Sequence, residues 1–268
     1  MTVQKTQDMF SLMSRLIKAE WLKTEHPRRL LLFMILPAVV TALIGWLAGH
    51  HKDIFLDITA WQEVWQTILF FWSSFAFSFF IVILAAKFNG IEHSNQSWRL
   101  MLTLPLRPCH LFFAKLSIEW GLLLFSNIMM VLVYSSAFLI GSHTDMAGNS
   151  LDLSLVNSFL LLPFVMLPVL FIQHSLSWFF SNTRFPVIFG TICTLMSVPV
   201  SEFFDAKGWL FYPWAYGTRF VNDRLNISIG QKITVIPISQ SEFFIFAVVL
   251  FAVASFLVTA YLKRKDIH

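Results

Sequence analysis

Six long runs of apolar residues alternate with shorter polar stretches along the chain, and this pattern indicates the fold class. The hydrocarbon core of a bilayer is about 30 Å thick, so a helix needs roughly 20 apolar residues to cross it. The runs near this length are Leu30–Gly49, Val64–Ala86, Leu116–Gly141, Leu155–Phe180, Pro186–Phe203 and Phe243–Leu262. They predict an all-α polytopic membrane protein with six transmembrane helices, forming a single transmembrane domain over residues 1–268.

The residues before the first run, 1–29, have a helical pattern of their own. Between Asp8 and Thr24 the apolar positions recur every three or four residues, which is typical of one stripe on an amphipathic helix, and His26-Pro27 ends it. The stripe comprises Met9, Phe10, Leu12, Met13, Leu16, Ile17, Trp21 and Leu22. Two interpretations fit this arm: an elbow that packs beside the pore helices, or a general anchor in the membrane interface.

Basic residues are distributed unevenly over the two faces that the apolar runs define. Fourteen of the 19 Lys and Arg residues lie in the arm, the loop 87–115, the turn before the fifth run and the C-terminal tail, and the other five lie on the opposite face. Because Lys and Arg are enriched in cytoplasmic loops, both termini are predicted to be cytoplasmic and residues 203–240 extracytoplasmic. The net charge of +4 therefore indicates topology rather than binding to nucleic acid.

The loop 87–115 is longer than two antiparallel helices need. Within it Ser97–Leu104 is predicted to form a short amphipathic helix, which polar cap candidates precede and which Pro105 and Pro108 stop. A further helix then leads into the third run. This arrangement either serves only to connect two spans or is a docking element held by a separate protein.

The chain lacks the motifs of several functional classes. It contains neither G-x-x-x-x-G-K-[ST] nor G-x-G-x-x-G, so no phosphate-binding loop is predicted. A series of carboxylates deep in the runs and a His-Glu zinc signature are also missing, which disfavours a proton-driven pump and an intramembrane enzyme. Cys109 and Cys193 predict neither a disulfide nor a metal site. Asn127 and His174 lie within apolar runs, where they either line a path or satisfy helix packing.

Two stretches resemble a known family. The arm and first run read "IKAEWLKTEHPRRLLLFMILP", and the loop reads "EHSNQSWRLMLTLPLRP" followed by "FAK". Together with the six runs, these stretches resemble the permeases of ABC-2 type exporters, and among them the lantibiotic (bacteriocin) immunity permeases. The resemblance implies a multi-pass protein of the bacterial cytoplasmic (inner) membrane with a role in antibiotic resistance or bacteriocin immunity.

In that family the loop between the second and third spans is a coupling helix that docks on an ATP-binding cassette ATPase subunit. By this match the resemblance assigns ATPase coupling to Glu92, Gln96, Trp98, Arg99, Pro105, Arg107 and Lys115. Trp98 would be the aromatic anchor, with Arg99 and Arg107 as cations at the rim, since these residue types dominate interface hot spots. ATP and Mg²⁺ would belong to the ATPase, so this chain is expected to hold no cofactor and no metal.

The stretch after the fifth run is rich in aromatic residues. An aromatic belt at the level of the lipid headgroups is one explanation. In the resembling family, short re-entrant helices follow the fifth span and close the pore, which implies an outer gate. Its residues would be Phe203, Trp209, Tyr212, Pro213, Trp214 and Tyr216. Residues 225–238 alternate as in a strand and suggest no function.

Together with these patterns, the resemblance to ABC-2 permeases implies the permease subunit of an ATP-driven exporter, and not an enzyme. An amphipathic or hydrophobic cargo, such as a cationic antimicrobial peptide, suits a chain in which 16% of the residues are aromatic. The expected partners are the ATPase, a second permease subunit (identical or paralogous) and membrane lipid, and no nucleic acid. The alternatives are a non-transporting interaction or sensor subunit, an exporter of lipid or another small molecule, and a secondary transporter.

Overall fold

The computed structural model describes residues 2–24, 26–50, 58–94, 108–142, 151–203, 208–225 and 240–265, and within these ranges every regular element is helical. Five segments of this part of the chain are long and apolar enough to cross a membrane: Pro27–Leu47, Trp61–Gly90, Pro108–Ile140, Leu153–Phe179 and Arg184–Phe203. We refer to them as the first to fifth spans. They confirm the prediction of a polytopic helical membrane protein.

The sixth apolar run falls in a helix over Gln240–Lys265, here named the sixth helix. It packs against the fourth span. Its apolar part, Ile245–Ala260, is shorter than any of the five spans. A sixth crossing of the membrane therefore stays a prediction.

Several of the spans are built from more than one helix. An arm helix, Thr2–Leu22, precedes the helix Pro27–His50 of the first span. The second span comprises Ile58–Phe71, a π-helical turn at Trp72–Ala76 and Phe77–Ser94, and the third span lies in Pro108–Ser142. The fourth comprises Leu153–Val165 and Leu167–Phe179, and the fifth Arg184–Leu195 and Ser197–Phe203. Two 3-10 turns, Gly208–Phe211 and Pro213–Ala215, lead into a short helix, Tyr216–Leu225.

Contacts between spans define two ends of the bundle. At the loop end, where the second and third spans flank residues 95–107, Gly90 lies so close to Thr183 that a Cβ built on the glycine would be 3.3 Å from Thr183 Cγ2. At the opposite end, here named the far end, the backbone N–H of Asp152 donates to the hydroxyl of Tyr134 at 3.3 Å. The second, third, fourth and fifth spans therefore run in alternating directions between these ends.

Prolines explain where the fourth and fifth spans break. A proline in a helix lacks the N–H group, and its ring clashes with the carbonyl four residues earlier. The fourth span is interrupted at Met166, two residues before Pro168, and the fifth at Met196, three residues before Pro199. Each break leaves the axis of the span free to bend inside the bundle.

The arm helix packs along the third span. Leu16 is buried there, and Trp21 packs at the edge of the core. Leu22 is 81% exposed, so it lies outside the part of the apolar stripe that packs on the bundle, because the next residue along a helix is rotated by about 100°. Glu20, four residues after Leu16, is buried on the stripe in its place.

Small polar side chains connect the spans inside the bundle. The Ser126 hydroxyl of the third span donates to the carbonyl of Met34 in the first, at 2.9 Å. The Ser197 hydroxyl of the fifth span donates to the carbonyl of Ser74 in the second, also at 2.9 Å. Hydrogen bonds of this kind and close approach at small residues hold helices together where lipid removes the usual hydrophobic driving force.

Candidate functional site

The predicted coupling residues belong to the loop end. Gln96, Trp98, Arg99, Pro105 and Arg107 lie outside the described residues, and their contact with an ATPase stays a prediction. Glu92 belongs to the last turn of the helix that ends the second span, and Lys115 lies two turns into the helix of the third. The structure therefore describes the two helices from which the predicted coupling loop, residues 95–107, extends.

Lys115 is a buried cation at the base of this loop. Its side chain is 1% exposed, and Nζ donates a hydrogen bond to the carbonyl of Phe88 at 2.8 Å. The Glu20 carboxylate lies 3.8 Å from the same nitrogen, and the centre of the Trp178 ring is 5.9 Å away. A buried charge is costly unless it is paired and hydrogen-bonded, so these contacts stabilise the ammonium group. Lys115 thereby joins the second, third and fourth spans to the arm helix, and its predicted role in coupling would be exerted through them.

Glu20 is a candidate residue that the sequence pattern did not identify. Its buried carboxylate accepts a hydrogen bond from Lys23 and faces Lys115. A signal was present, because an acid sits on the apolar stripe of the arm and a base sits at the start of an apolar run. Each needs an opposite charge when it is buried. The contact itself is tertiary and has no counterpart in the local pattern.

A second polar cluster lies beside Lys115, within the spans. Oε1 of Glu119 is 2.9 Å from Nδ1 of His174, and Nδ2 of Asn89 is 3.3 Å from the same ring nitrogen. All three side chains are fully buried, and the Phe112 ring packs edge-on against the imidazole at 4.5 Å. The cluster joins the second, third and fourth spans. A role for His174 in lining a path stays a prediction.

Asn127 occupies a comparable position deeper in the bundle. Its side-chain oxygen accepts a hydrogen bond from the indole N–H of Trp72 at 3.1 Å, and its amide donates to the carbonyl of Leu123. Trp72 begins the π-helical turn of the second span. Asn127 is buried and fixes this turn against the third span, while its predicted place on a path remains untested.

The aromatic residues of the predicted gate differ in their burial. Phe203 is 82% exposed, whereas Trp209, Trp214 and Tyr216 are buried with Pro213. The hydroxyl of half-buried Tyr212 donates to the carbonyl of Cys193 at 2.8 Å, which fastens the segment 208–216 to the fifth span. Burial raises the pKa of the Tyr212 hydroxyl, so this donor stays protonated at neutral pH.

A charged cluster supports this aromatic segment at the far end. Arg219 is buried, its Nε lies 3.4 Å from Asp223, and its guanidinium stacks over the Trp209 ring at 5.4 Å. Asn222 donates to Glu202 at 3.1 Å. Burial raises the pKa of Asp223, Arg219 opposes that shift, and Glu202 adds to it. Arg219 is one of the five basic residues assigned to the extracytoplasmic face, and its i,i+4 spacing from Asp223 also indicates an ion pair.

The sequence predicted neither a metal site nor a disulfide. Both cysteines, Cys109 and Cys193, are free thiols. Among the described residues no group of three or more His, Cys, Asp or Glu side chains has the arrangement of a metal site. The polar contacts described above are ion pairs and hydrogen bonds between helices.

Comparison with known proteins identifies a family for most of the chain. The family model described as ABC-2 family transporter protein matches residues 16–201, which run from the arm helix to the end of the fifth span. No curated protein and no solved structure matches the chain.

Proposed function

The chain belongs to the ABC-2 family of transporter proteins, and on this premise we propose that it is the permease subunit of an ABC exporter for an amphipathic or hydrophobic cargo. A separate ATPase subunit would bind and hydrolyse ATP with Mg²⁺, and this chain would convert the motion of that subunit into movement of its spans. The cargo class is inferred from an apolar, aromatic chain, and a cationic antimicrobial peptide is the example that suits it best.

The orientation that we propose places the loop end in the cytoplasm of a bacterium. Fourteen of the 19 basic residues fall on that side by the sequence map, which is the distribution expected of cytoplasmic loops. An ATPase needs cytoplasmic ATP, so the loop 95–107 must face the same compartment. Both termini would then be cytoplasmic, and the aromatic segment 208–216 would face outward.

The observation that carries the mechanism is the position of Lys115. A partner that moves the loop 95–107 must move the helices on both sides of it, since Ser94 and Pro108 are their terminal residues. Lys115 fastens these helices to each other through Phe88 and attaches the arm helix through Glu20. Displacement of the loop would therefore move several helices as one body.

A second permease subunit would complete the pathway. The first and fifth spans carry rows of exposed apolar side chains, which suit either lipid or a second subunit. Because most oligomers close by symmetry, we propose a dimer of this chain or of this chain with a paralogue. Tilting of the two subunits would then open the far end, where the aromatic segment is the proposed gate.

The interaction with the ATPase can be tested by Trp98→Ala. A desolvated interface Trp commonly contributes about 2 kcal/mol or more, which is roughly a thirtyfold change in affinity. Recovery of the ATPase with the solubilised permease should fall accordingly, while Arg99→Glu should weaken recovery in a salt-dependent way.

Trp46→Ala is the matched control, because Trp46 is an exposed tryptophan near the far end of the first span. Equal recovery with Trp98→Ala and Trp46→Ala would show that the loop 95–107 only connects two spans. Normal recovery of the ATPase without cargo movement in the complex would favour the alternative, a sensor subunit that does not transport.

A further inference from the structure

A cavity of about 730 Å³ lies between the first and second spans and extends to Met130 of the third. Its rim includes Val40 and Phe71, of which the latter is 56% exposed, so the cavity is a groove that opens toward the side of the bundle. Sites for drug-sized molecules commonly enclose roughly 300–1,000 Å³. The groove is large enough for such a molecule, and lateral opening allows entry from the membrane.

The walls of the groove are mainly apolar. Leu36, Val40 and Ile44 line it from the first span, and Phe71, Trp72 and Phe80 line it from the second. Trp72 cannot rotate freely, because its indole N–H is held by Asn127. A preformed apolar surface of aliphatic and aromatic side chains suits the apolar body of a ligand.

Both walls depart from regular helix at the groove. Pro37 lies inside the helix of the first span, where it removes a backbone hydrogen bond. On the opposite wall the π-helical turn Trp72–Ala76 interrupts the second span and contributes Trp72 and Ala76 to the lining. π-helical turns carry an extra residue, cost stability and occur frequently at functional sites. This irregularity is an observation independent of the volume.

Among the described residues that line the groove, one is charged, and it is the acid Glu63, which is exposed near the far end of the second span. Thr67 lies one turn away and adds a hydroxyl. Glu63 is the third residue of the second span, so its carboxylate belongs to the far-end side of the groove. Glu63 and Trp72 are separated by nine residues, or about 14 Å along a helix, so the acid and the apolar wall form two ends of one elongated site.

We propose that this groove binds an amphipathic cation, with the apolar body between Val40 and Trp72 and the amine or guanidinium at Glu63. The charge complementarity selects this occupant over a neutral or anionic lipid, which Glu63 does not favour. The inference rests on the proposed exporter function and makes the groove a site for cargo taken from the membrane. The proposal predicts that the groove binds cationic ligands more tightly than neutral or anionic ones, and that this preference does not require ATP hydrolysis.

The test uses the full-length permease alone, in nanodiscs of phosphatidylcholine. Three photoreactive probes share one twelve-carbon chain with a diazirine and differ only in the head group: an ammonium, an alcohol or a carboxylate. The ammonium probe should label the walls of the groove saturably. Its apparent affinity should be about tenfold higher than that of either of the other two probes. Glu63→Gln should weaken the ammonium probe by about tenfold, leave the alcohol probe unchanged and bind the carboxylate probe no more weakly than the wild type does, since the attraction and the repulsion of one charge are both removed.

Two further variants make the outcome specific. Glu202→Gln makes the same change at the far end outside the groove and should leave all three probes unaffected. Val40→Trp should fill the groove and reduce labelling by every probe. Equal labelling by the three probes in the wild type and in Glu63→Gln would overturn the proposal in favour of a lipid groove. Disulfide crosslinking between two copies of the Val40→Cys variant, with no labelling by the probes, would overturn it in favour of a subunit interface.

The groove and the exporter function can fail separately. Probe binding is measured without the ATPase, so it does not depend on coupling through the loop 95–107. Loss of ATPase recovery in Trp98→Ala, together with equal labelling by all three probes, would support the exporter function and contradict a cation site in the groove. Preferential labelling by the ammonium probe, together with failure of any ATPase subunit to bind the permease, would support the binding site and contradict the exporter function.

Discussion

The ammonium group of Lys115 donates a hydrogen bond of 2.8 Å to the main-chain carbonyl of Phe88, and so ties together the two helices that flank the loop 95–107. Phe88 lies one and a half turns before the end of the second-span helix at Ser94. The carbonyl is an acceptor that does not depend on the side chain at position 88. The loop 95–107 is thus attached to a base whose two sides are held at a fixed separation.

Lys115→Met should loosen this base without removing the apolar stem of the side chain. The Phe88 carbonyl loses a donor and the Glu20 carboxylate loses a neighbouring cation, which should cost about 1–3 kcal/mol and lower the melting temperature of the purified permease. Stimulation of the ATPase by cargo should fall more than recovery of the ATPase in a pull-down. Lys18→Met, an equal change on the exposed face of the arm, should have neither effect. Full stimulation by cargo in Lys115→Met would refute a role in coupling.

The distribution of basic residues predicts which side of the membrane each end occupies. A cysteine introduced at position 146 or 230 should react with an impermeant thiol reagent added to intact cells, and one at position 95 should react only after the cells are opened. Cys109 and Cys193 are replaced by Ser first, since both are free thiols. Labelling of position 95 in intact cells would show that the predicted topology is inverted. The loop 95–107 would then face outward, where a cytoplasmic ATPase cannot bind it.

The spans were predictable because the length of an apolar run is the main requirement for crossing a bilayer. The breaks were predictable only in part. Pro168 and Pro199 cannot donate a helix hydrogen bond, which explains the interruptions of the fourth and fifth spans. The π-helical turn at Trp72–Ala76 contains no proline or glycine, and it depends on tertiary contacts such as the hydrogen bond between Trp72 and Asn127.

In the candidate site too, local sequence patterns did not predict the features that depend on tertiary contacts. Apolar periodicity identified the arm helix, yet it included exposed Leu22 and omitted buried Glu20. Periodicity sorts residues by polarity, whereas burial of Glu20 depends on Lys115, a residue of another helix. The coupling residues between 95 and 107 were identified by resemblance to a family, and they lie outside the described residues.

At Gly217 the short helix packs closely against the second span. A Cβ at this position would lie 2.5 Å from the carbonyl oxygen of Ser73 and 3.2 Å from the sulfur of Met166. A main-chain oxygen inside a helix cannot move aside easily, so Gly217→Ala should cost about 1–3 kcal/mol and lower the melting temperature by several degrees. Gly121→Ala is the matched control, because no atom lies within 4 Å of its added Cβ, and it should be neutral or slightly stabilising. Equal melting temperatures for the two variants would contradict this packing.

Tyr212→Phe tests the gate more sharply than truncation of the aromatic segment, because buried Trp209 and Trp214 would each lose several kcal/mol of packing on replacement by Ala. The variant keeps the ring and removes only the hydrogen bond to Cys193 of the fifth span. If that bond helps to hold the far end closed, its loss should favour opening by about threefold to tenfold, since such a bond contributes roughly 0.5–1.5 kcal/mol. Release of a labelled amphipathic peptide from proteoliposomes without ATP should rise by that factor. Tyr216→Phe is the control, because its hydroxyl donates to the carbonyl of Leu210 within the same segment. Equal release from the two variants and the wild type would mean that the aromatic residues form an interfacial belt, and that the gate lies elsewhere.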